Sequence, residues 1–240
     1  MENKIELAIR EAKKYLEHPR DATHDLGHHE AVWKNCKDII SKEKLNVNSG
    51  LLKVATFWHD VVLEKEGKVS SDNVKEVVEY LKTFLPGLGF DNSETKIILD
   101  TVLHHEFRDT PVGVEGMVLQ DADKLEVLSK DRWERTLDAY ESGKMSKEKY
   151  VSYLKTGLLW FSILESTFHY RYSKRIVHES ISSIFDDSKM VDAIKRVGLQ
   201  KELDDSKKSM NSLRTKIIRV LINLNNFKIN LLINFRKMSK

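Results

Sequence analysis

Apolar residues recur every three or four positions along most of the chain, with polar residues between them, which is the spacing of one buried helix face. In the first such segment Ile5, Ala8, Ala12 and Leu16 share a face, and Pro19 follows as a stop signal. The pattern therefore predicts an all-α fold. The other predicted helices cover about residues 32–40, 51–58, 74–85, 92–102, 117–128, 132–140, 146–172, 175–185, 190–197 and 212–235.

Capping residues and glycine–proline breaks predict where some of these helices begin and end. Ser49 is the expected N-cap of the third helix, and Asn92 or Ser93 that of the fifth, because their side chains can accept hydrogen bonds from free N–H groups. The Pro-Gly pair at 86–87 is expected to end the fourth helix. Residues 108–116 contain one proline and two glycines, and we expect a loop there.

The composition agrees with a helical scaffold. The 240 residues include only 10 glycines and 3 prolines, about 5% of the chain against roughly 12% in average usage. An all-β sandwich or barrel needs turn residues at intervals of roughly 8–12 positions, so this composition excludes those classes. It also excludes collagen-like and low-complexity chains.

Cysteine usage and the N-terminus bear on the compartment. Cys36 is the only cysteine, so no disulfide can form within one chain, as is usual in a reducing compartment. The N-terminal sequence is charged and lacks the apolar core of a signal peptide. No uncharged run approaches the roughly 20 residues that cross a bilayer. We therefore expect a soluble cytoplasmic protein.

The net charge of +3 is distributed unevenly. Residues 206–240 contain nine lysines and arginines and no acidic residue, so the preceding residues carry a net charge of about −6. A basic amphipathic helix of this kind is typical of a segment that lies on an anionic membrane surface or binds RNA. It can also pack on the acidic body of the same chain or of a second copy. The sequence does not predict an oligomeric state.

Six of the nine histidines form three short clusters near predicted helix ends, and these are His24 with His28 and His29, His59 beside Asp60, and His104 with His105. The apolar run at 54–58 places His59 and Asp60 at the edge of a hydrophobic segment, so we expect this pair to be at least half buried. A buried carboxylate needs a hydrogen-bond partner or a bound cation. On its own, such a pair is usually a simple hydrogen bond at a helix end.

Two further features of the sequence can combine with the His59-Asp60 pair to form a site. His28 begins a helix that can pack antiparallel to the helix that His59 follows, and Asp121 and Asp123 lie on an otherwise apolar predicted helix. Acids retained on an apolar helix suggest a cation nearby. Two imidazoles and two carboxylates suit a divalent metal such as Mn, Fe, Co, Ni, Zn or Mg.

In this order on a helical chain, His28, the pair His59-Asp60, and Asp123 resemble the motifs of the HD-domain superfamily of metal-dependent phosphohydrolases. The opening string HDLGHHEAV is similar to the family's H-D-x-x-H-x-x-R-V, and LQDADKL is similar to its L-Q-D-A-D-R-L. The resemblance covers about residues 20–178. It implies a helical bundle that binds one divalent metal ion.

The resemblance also implies roles for individual residues. The implied site consists of the metal ligands His28, His59, Asp60 and Asp123, the catalytic groups Asp60 and His105, the substrate-binding groups His104 and Lys124, and Asp25 and Asp121 behind the ligands. Asp123 is preferred to Asp121 as the ligand because of its place in the family's motif. Asp25 can instead be a helix N-cap alone, and Asp121 can lie on its helix without touching the site.

The chain departs from the family's pattern at two points. The arginine of the opening motif is Ala31 here, and the acid that follows the His-Asp pair in several relatives is Glu64, which we expect in an exposed loop. The string HHEFRD from His104 to Asp109 resembles the HD-GYP branch, which hydrolyses cyclic dinucleotides. The D-G-x-G-Y-P sequence that should follow in that branch is absent, which argues against this activity.

The implied function is the hydrolysis of a phosphomonoester or nucleotide-like phosphate by a water molecule that the metal activates. The predicted domains are a hydrolase domain over 1–198 and a basic extension over 199–240. The alternative is a non-catalytic HD-like module that binds a nucleotide or a partner and whose tail docks on a membrane or on RNA. The presence of bound metal would discriminate between the two.

Overall fold

The computed structural model describes residues 3–17, 25–65, 68–69, 73–161 and 167–209. The helices with assigned bounds are α1 (Lys4–Leu16), α2 (Leu26–Glu43), α3 (Ser49–Trp58), α4 (Asn73–Gly87), α5 (Asn92–Leu103), α6 (Gly113–Val127), α7 (Lys130–Glu141), α8 (Lys147–Trp160), α9 (Arg171–Asp186) and α10 (Ser188–Arg196). Residues 200–209 are also helical. Two short strands, β1 (Glu64–Lys65) and β2 (Lys68–Val69), pair antiparallel between α3 and α4. The predicted all-α class is thus confirmed, with one small hairpin added.

Two predicted helix caps are wrong by one or two residues. Asn48, not Ser49, caps α3, because its side chain accepts a hydrogen bond from Leu51 N. Asp91 caps α5 and forms a capping box with Glu94, so neither Asn92 nor Ser93 is the cap. In both cases the true cap is an Asn or Asp that precedes the predicted residue, and at Asp91 the matching acid three residues on completes the cap.

The single long helix predicted over 146–172 is also wrong. α8 ends at Trp160 and α9 begins at Arg171. Phe161 and Phe168, between the two helices, are both buried, so the apolar pattern continues although the helix does not. Periodicity alone therefore could not locate the break.

Helix α6 lies in the middle of the structure and packs against α2, α3, α5, α7 and α9. It is buried along most of its length, although it carries Gln120, Asp121, Lys124 and Glu126, and all four are at most 3% exposed. Buried polar groups destabilise a fold unless they are hydrogen-bonded or paired. The partners of these side chains therefore organise the centre of the molecule.

An aromatic cluster supports the end of α3 that leads into the His-Asp pair. The ring of Trp58 lies 5.5 Å from that of Tyr80 and 5.8 Å from that of Tyr15, measured between centroids. Trp58 also donates a hydrogen bond from Nε1 to the carbonyl of Ala8, at 3.0 Å. Buried aromatic packing of this kind fixes the backbone at the residue that follows, which is His59.

Helix 200–209 packs on the body through Leu203 and Ser206, and the hydroxyl of Ser206 donates to the carbonyl of Leu158 at 2.6 Å. The predicted basic helix at 212–235 lies outside the described residues, so the extension beyond 198 and its partners stay predictions. Among the described helices, none is long and apolar enough to cross a membrane.

Candidate metal centre

Four side chains from three parts of the chain converge on one point. His28 lies in the first turn of α2, His59 and Asp60 directly follow α3, and Asp123 lies on α6. One potential ligand atom from each lies within 4.8 Å of all the others. His28 and His59 are buried, whereas the carboxylates of Asp60 and Asp123 are 27% and 22% exposed and face a cleft.

Hydrogen bonds fix the orientation of both imidazoles. His59 Nδ1 lies 2.7 Å from the carbonyl of Thr56, and a carbonyl can only accept, so this nitrogen carries a proton. His28 Nδ1 lies 2.8 Å from the carboxylate of Glu126, which acts in the same way. The Nε2 atoms of both rings therefore point towards the carboxylates of the cluster.

The two Nε2 atoms lie 3.3 Å apart. His28 Nε2 is also 3.5 Å from an oxygen of Asp60 and 3.5 Å from Asp123 Oδ1. In the neutral imidazoles each Nε2 presents a lone pair, so two lone pairs and two carboxylates face one another. This concentration of electron pairs requires a positive charge in the middle, which a proton or a metal ion can provide.

The charges of the cluster follow from this proximity. Burial alone would lower the pKa of His28, but its bonds to Asp60 and Glu126 outweigh that effect and raise the pKa to about 10. Burial works against ionisation of Asp123, but His59 and His28 outweigh it and lower the pKa of the carboxyl to about 2. Without a metal, a proton on His28 thus compensates the carboxylates.

Asp123 provides an independent sign that the cluster suits a metal. Its Oδ1 is buried and accepts no hydrogen bond from the residues that the structure describes. Such an orphaned oxygen is rare in folded proteins and calls for an explanation. Two imidazole nitrogens and two carboxylate oxygens form a donor set that a divalent metal accepts, so the residues fit such an ion.

His105 and Lys124 line the same cleft, which has a volume of about 510 Å³. His105 Nδ1 lies 2.7 Å from the carbonyl of Val102, and its Nε2 lies 3.4 Å from Asp60 Oδ1. The ammonium of Lys124 donates to the carbonyl of Thr167 at 2.9 Å, and no carboxylate among the described residues forms an ion pair with it. Burial lowers the pKa of this lysine.

Comparisons with known proteins give structural neighbours only, because no family model and no curated protein sequence matches the chain. A predicted HD-superfamily hydrolase from an uncultured Thermotogales bacterium is 24% identical, with a TM-score of 0.53 over 75% of this chain and 84% of that one. The structural similarity between this hydrolase and the chain, together with the His/Asp cluster, establishes the fold. The chain has the HD-domain fold.

Two further structures share this HD-domain fold with the chain. A protein from Lactobacillus plantarum is 16% identical, with a TM-score of 0.58 over 88% of this chain and 99% of its own. Bacillus subtilis YpgQ, solved in complex with ADP, is 17% identical, with a TM-score of 0.53 over 75% of this chain and 88% of its own. At these identities the likeness establishes the fold and leaves the reaction open.

Two residues that were assigned to the HD-domain site lie elsewhere. Asp121 faces the start of α9, where its carboxylate accepts hydrogen bonds from the backbone N–H groups of His169 and Tyr170 at 3.0–3.1 Å. It therefore binds backbone and does not orient an imidazole of the cluster. His104 is the C-cap residue of α5, and it is not among the residues that line the cleft, whereas His105 is.

Asp25 combines the two roles that the sequence left open. It is the N-cap of α2, and its side chain accepts a hydrogen bond from the backbone N–H of His28 at 3.0 Å. It thereby fixes the helix turn from which the imidazole of His28 projects. His24 and the side chain of Glu64 lie outside the described part of the chain. The backbone of Glu64 forms strand β1, so the loop predicted there is wrong.

Sequence reasoning missed Glu126, which is 1% exposed and holds Nδ1 of His28. Arg135 pairs with the same carboxylate at 2.5 Å, and Arg132 lies 3.5 Å from it. A carboxylate behind a ligand histidine fixes its tautomer and raises its basicity. Its position three residues after Asp123, on the same helix face, was the available signal.

Gln120 was missed as well. The two N–H groups of its amide donate to the carbonyls of Glu106 and Asp109, at 2.8 and 3.0 Å, and share a longer contact of 3.3 Å with the carbonyl of His104. These three contacts hold the turn that presents His105 to the cleft. A buried glutamine beside the acids of α6 was visible in the sequence, but its partners were not.

Proposed function

We propose that this HD-domain protein is a metal-dependent phosphohydrolase that acts on a phosphomonoester or a nucleotide-like phosphate. The observation that carries the proposal is the convergence of His28, His59, Asp60 and Asp123 at the wall of an open cleft. On a six-coordinate metal such as Mn or Mg, four protein ligands leave two coordination positions open, which a catalytic metal needs. The ADP complex of the structural neighbour YpgQ supports a phosphate substrate in this fold.

The proposed ligands are Nε2 of the two histidines and one oxygen from each aspartate. When bound there, a divalent metal supplies an acidified water and polarises a phosphoryl oxygen. Glu126 and the carbonyl of Thr56 hold the two imidazoles in the tautomer that presents Nε2. Asp25 fixes the first turn of α2 around one of them.

His105 and Lys124 act on the substrate in this proposal. His105 lies beside Asp60 at the cleft surface, where an imidazole can donate a proton to the leaving oxygen. Lys124 is a buried cation with only neutral hydrogen-bond partners, Thr167 and Gln120, among the described residues. Such a cation is available to neutralise the charge of a phosphoryl group.

The test uses the full chain, freed of metal by chelation and then supplied separately with Mn, Co, Ni or Mg. We expect phosphate release from a panel of phosphomonoesters and nucleotides only when metal is present. Asp60→Ala should abolish it, whereas Asp109→Ala, which changes an exposed acid on the neighbouring turn, should retain it.

Metal-independent activity, or full activity in Asp60→Ala, would contradict the proposal. Binding of about one metal per chain and of a nucleotide, without turnover of any substrate, would indicate the non-catalytic binding module instead.

A further inference from the structure

One wall of the cleft is aromatic. Phe107 and Trp160 both line it, and their rings stack with centroids 4.9 Å apart and planes 13° from parallel. Both side chains are partly exposed. They differ in this from Trp133 and Phe161, which stack at 5.0 Å but are at most 2% exposed and belong to the core.

The aromatic wall continues directly from the metal cluster. Asp123 is followed on α6 by Lys124, whose ammonium lies 5.2 Å from the centroid of Phe107. Phe107 in turn stacks on Trp160. From the metal cluster outward, the cleft therefore presents the carboxylates of Asp60 and Asp123, then the Lys124 ammonium, then the stacked rings of Phe107 and Trp160, and its lining also includes Arg108, Arg132 and Tyr153. The carboxylates, the ammonium and the rings each complement a different part of one molecule: the phosphate, its negative charge and a planar ring.

The turn that carries Phe107 is held in place before any ligand binds. The amide of Gln120 contacts the carbonyls of His104 and Glu106, which precede Phe107 in the chain, and that of Asp109, which follows it. A ring fixed in advance loses little conformational entropy when a ligand stacks on it. A cleft of about 510 Å³ has the size of a small-molecule site.

From this order we propose that Trp160, supported by Phe107, is the specificity-determining surface for the organic part of the substrate, and that this part is a planar aromatic ring. The substrate class is then a nucleoside phosphate, with the phosphate at the metal cluster and the base against Trp160. The inference rests on the proposed function and names the substrate class of the same site.

The test compares a phosphate ligand that carries a nucleobase with one that does not. ADP and inorganic tripolyphosphate are titrated into the metal-supplemented wild-type protein by calorimetry, and the hydrolysis of each is measured. Variants are Trp160→Leu, which removes the ring, Trp160→Phe, which restores one, and Leu159→Ala, which changes the exposed neighbour (65% exposed) on the same helix. The melting temperature of each variant checks that it is folded.

Stacking of one base on an aromatic side chain is worth a factor of roughly 5 to 150 in affinity. We expect Trp160→Leu to weaken ADP binding by about that factor and to raise KM for the nucleotide with little change in kcat. Binding of tripolyphosphate should change less than about twofold, Trp160→Phe should recover most of the loss, and Leu159→Ala should behave as wild type.

Three results would overturn the inference: equal losses for ADP and tripolyphosphate, no loss for either, or wild-type protein that binds ADP no more tightly than tripolyphosphate. If Trp160→Leu fails to fold, Phe107→Leu provides the same comparison. Base-dependent binding without hydrolysis would leave the inference standing and refute the proposed function, so the two failures are distinguishable.

Discussion

Helix α6 carries two aspartates, Asp121 and Asp123, whose carboxylates differ in their hydrogen bonding. Towards α9, Asp121 uses both carboxylate oxygens to accept hydrogen bonds from backbone N–H groups of His169 and Tyr170. Towards α2, Asp123 leaves Oδ1 without a hydrogen bond from the described residues and faces imidazole nitrogens at 3.5 and 3.8 Å. The residues are two positions apart and chemically identical.

This difference shows how a structural carboxylate can be distinguished from one that is placed for a ligand. Tyr170, the N-cap residue of α9, makes no side-chain cap hydrogen bond of its own, and the N–H groups at the start of this helix are bonded by Asp121, at His169 and Tyr170, and by Glu43, at Tyr172. The carboxylate oxygens of Asp121 are thus both occupied by hydrogen bonds within the fold. Asp123 retains unused capacity and lies among lone pairs, which is stable only with a cation nearby.

The strongest way to test this comparison is Asp123→Asn, because the change keeps the shape and removes the charge. We expect metal affinity and metal-dependent activity to fall by at least about 100-fold, since even a residue behind a ligand contributes about 10- to 100-fold. Calorimetric metal titration and phosphate release measure this. The metal-free variant should also lose stability at neutral pH, because burial is outweighed by His59 and His28, which lower the pKa of the Asp123 carboxyl, and its ionised form therefore stabilises the fold. Metal affinity within about threefold of wild type would show that Asp123 is not a ligand.

Glu126→Gln tests the carboxylate that orients His28. The amide still fills the space, but it no longer compensates the charge of Arg132 and of His28. We expect metal affinity to fall by about 10- to 100-fold. The matched control is Arg135→Gln, which removes an ion-pair partner that is 44% exposed, and it should cost less than about 1 kcal/mol in either property. Unchanged metal affinity in Glu126→Gln would refute the orienting role.

Asp121→Asn should lower stability and leave metal affinity nearly unchanged. An amide oxygen can still accept at the start of α9, but its NH₂ group now opposes a backbone donor. We expect the free energy of unfolding to fall by about 1–3 kcal/mol, the cost of one buried unsatisfied polar group. Denaturant unfolding measures this. Metal affinity should stay within about threefold of wild type, and a larger loss would place Asp121 in the metal site after all.

The smallest expected effect concerns Cys36, which lies on the buried face of α2. The thiol is fully buried, with its sulfur 3.8 Å from the hydroxyl of Thr56, and burial raises its pKa to about 12. A thiol-reactive probe at pH 8 should therefore not label the native protein, but should label one site per chain in denaturant. Rapid labelling of the native protein would contradict the packing of α2 described here.

Sequence patterns were sufficient for the helical class and for the order of the motifs, because helix periodicity and local ligand strings are short-range properties. They predicted the four residues that the structure brings within 4.8 Å, through a resemblance that spans distant segments. They did not predict the break between α8 and α9, since buried Phe161 and Phe168 continue the apolar pattern across it. They also placed the caps of α3 and α5 one or two residues too late.

The sequence by itself determined the helical scaffold, the uneven charge and the residue types of the site. Only the tertiary structure decided what each polar residue of α6 does. Asp121, Asp123 and Glu126 share one short string, yet one caps α9, one faces the metal cluster and one orients His28. The physical reason is that the role of a buried polar group depends on the groups that it contacts. For Asp121, Asp123 and Glu126 these groups lie 48, 95 and 98 residues away in the chain, respectively.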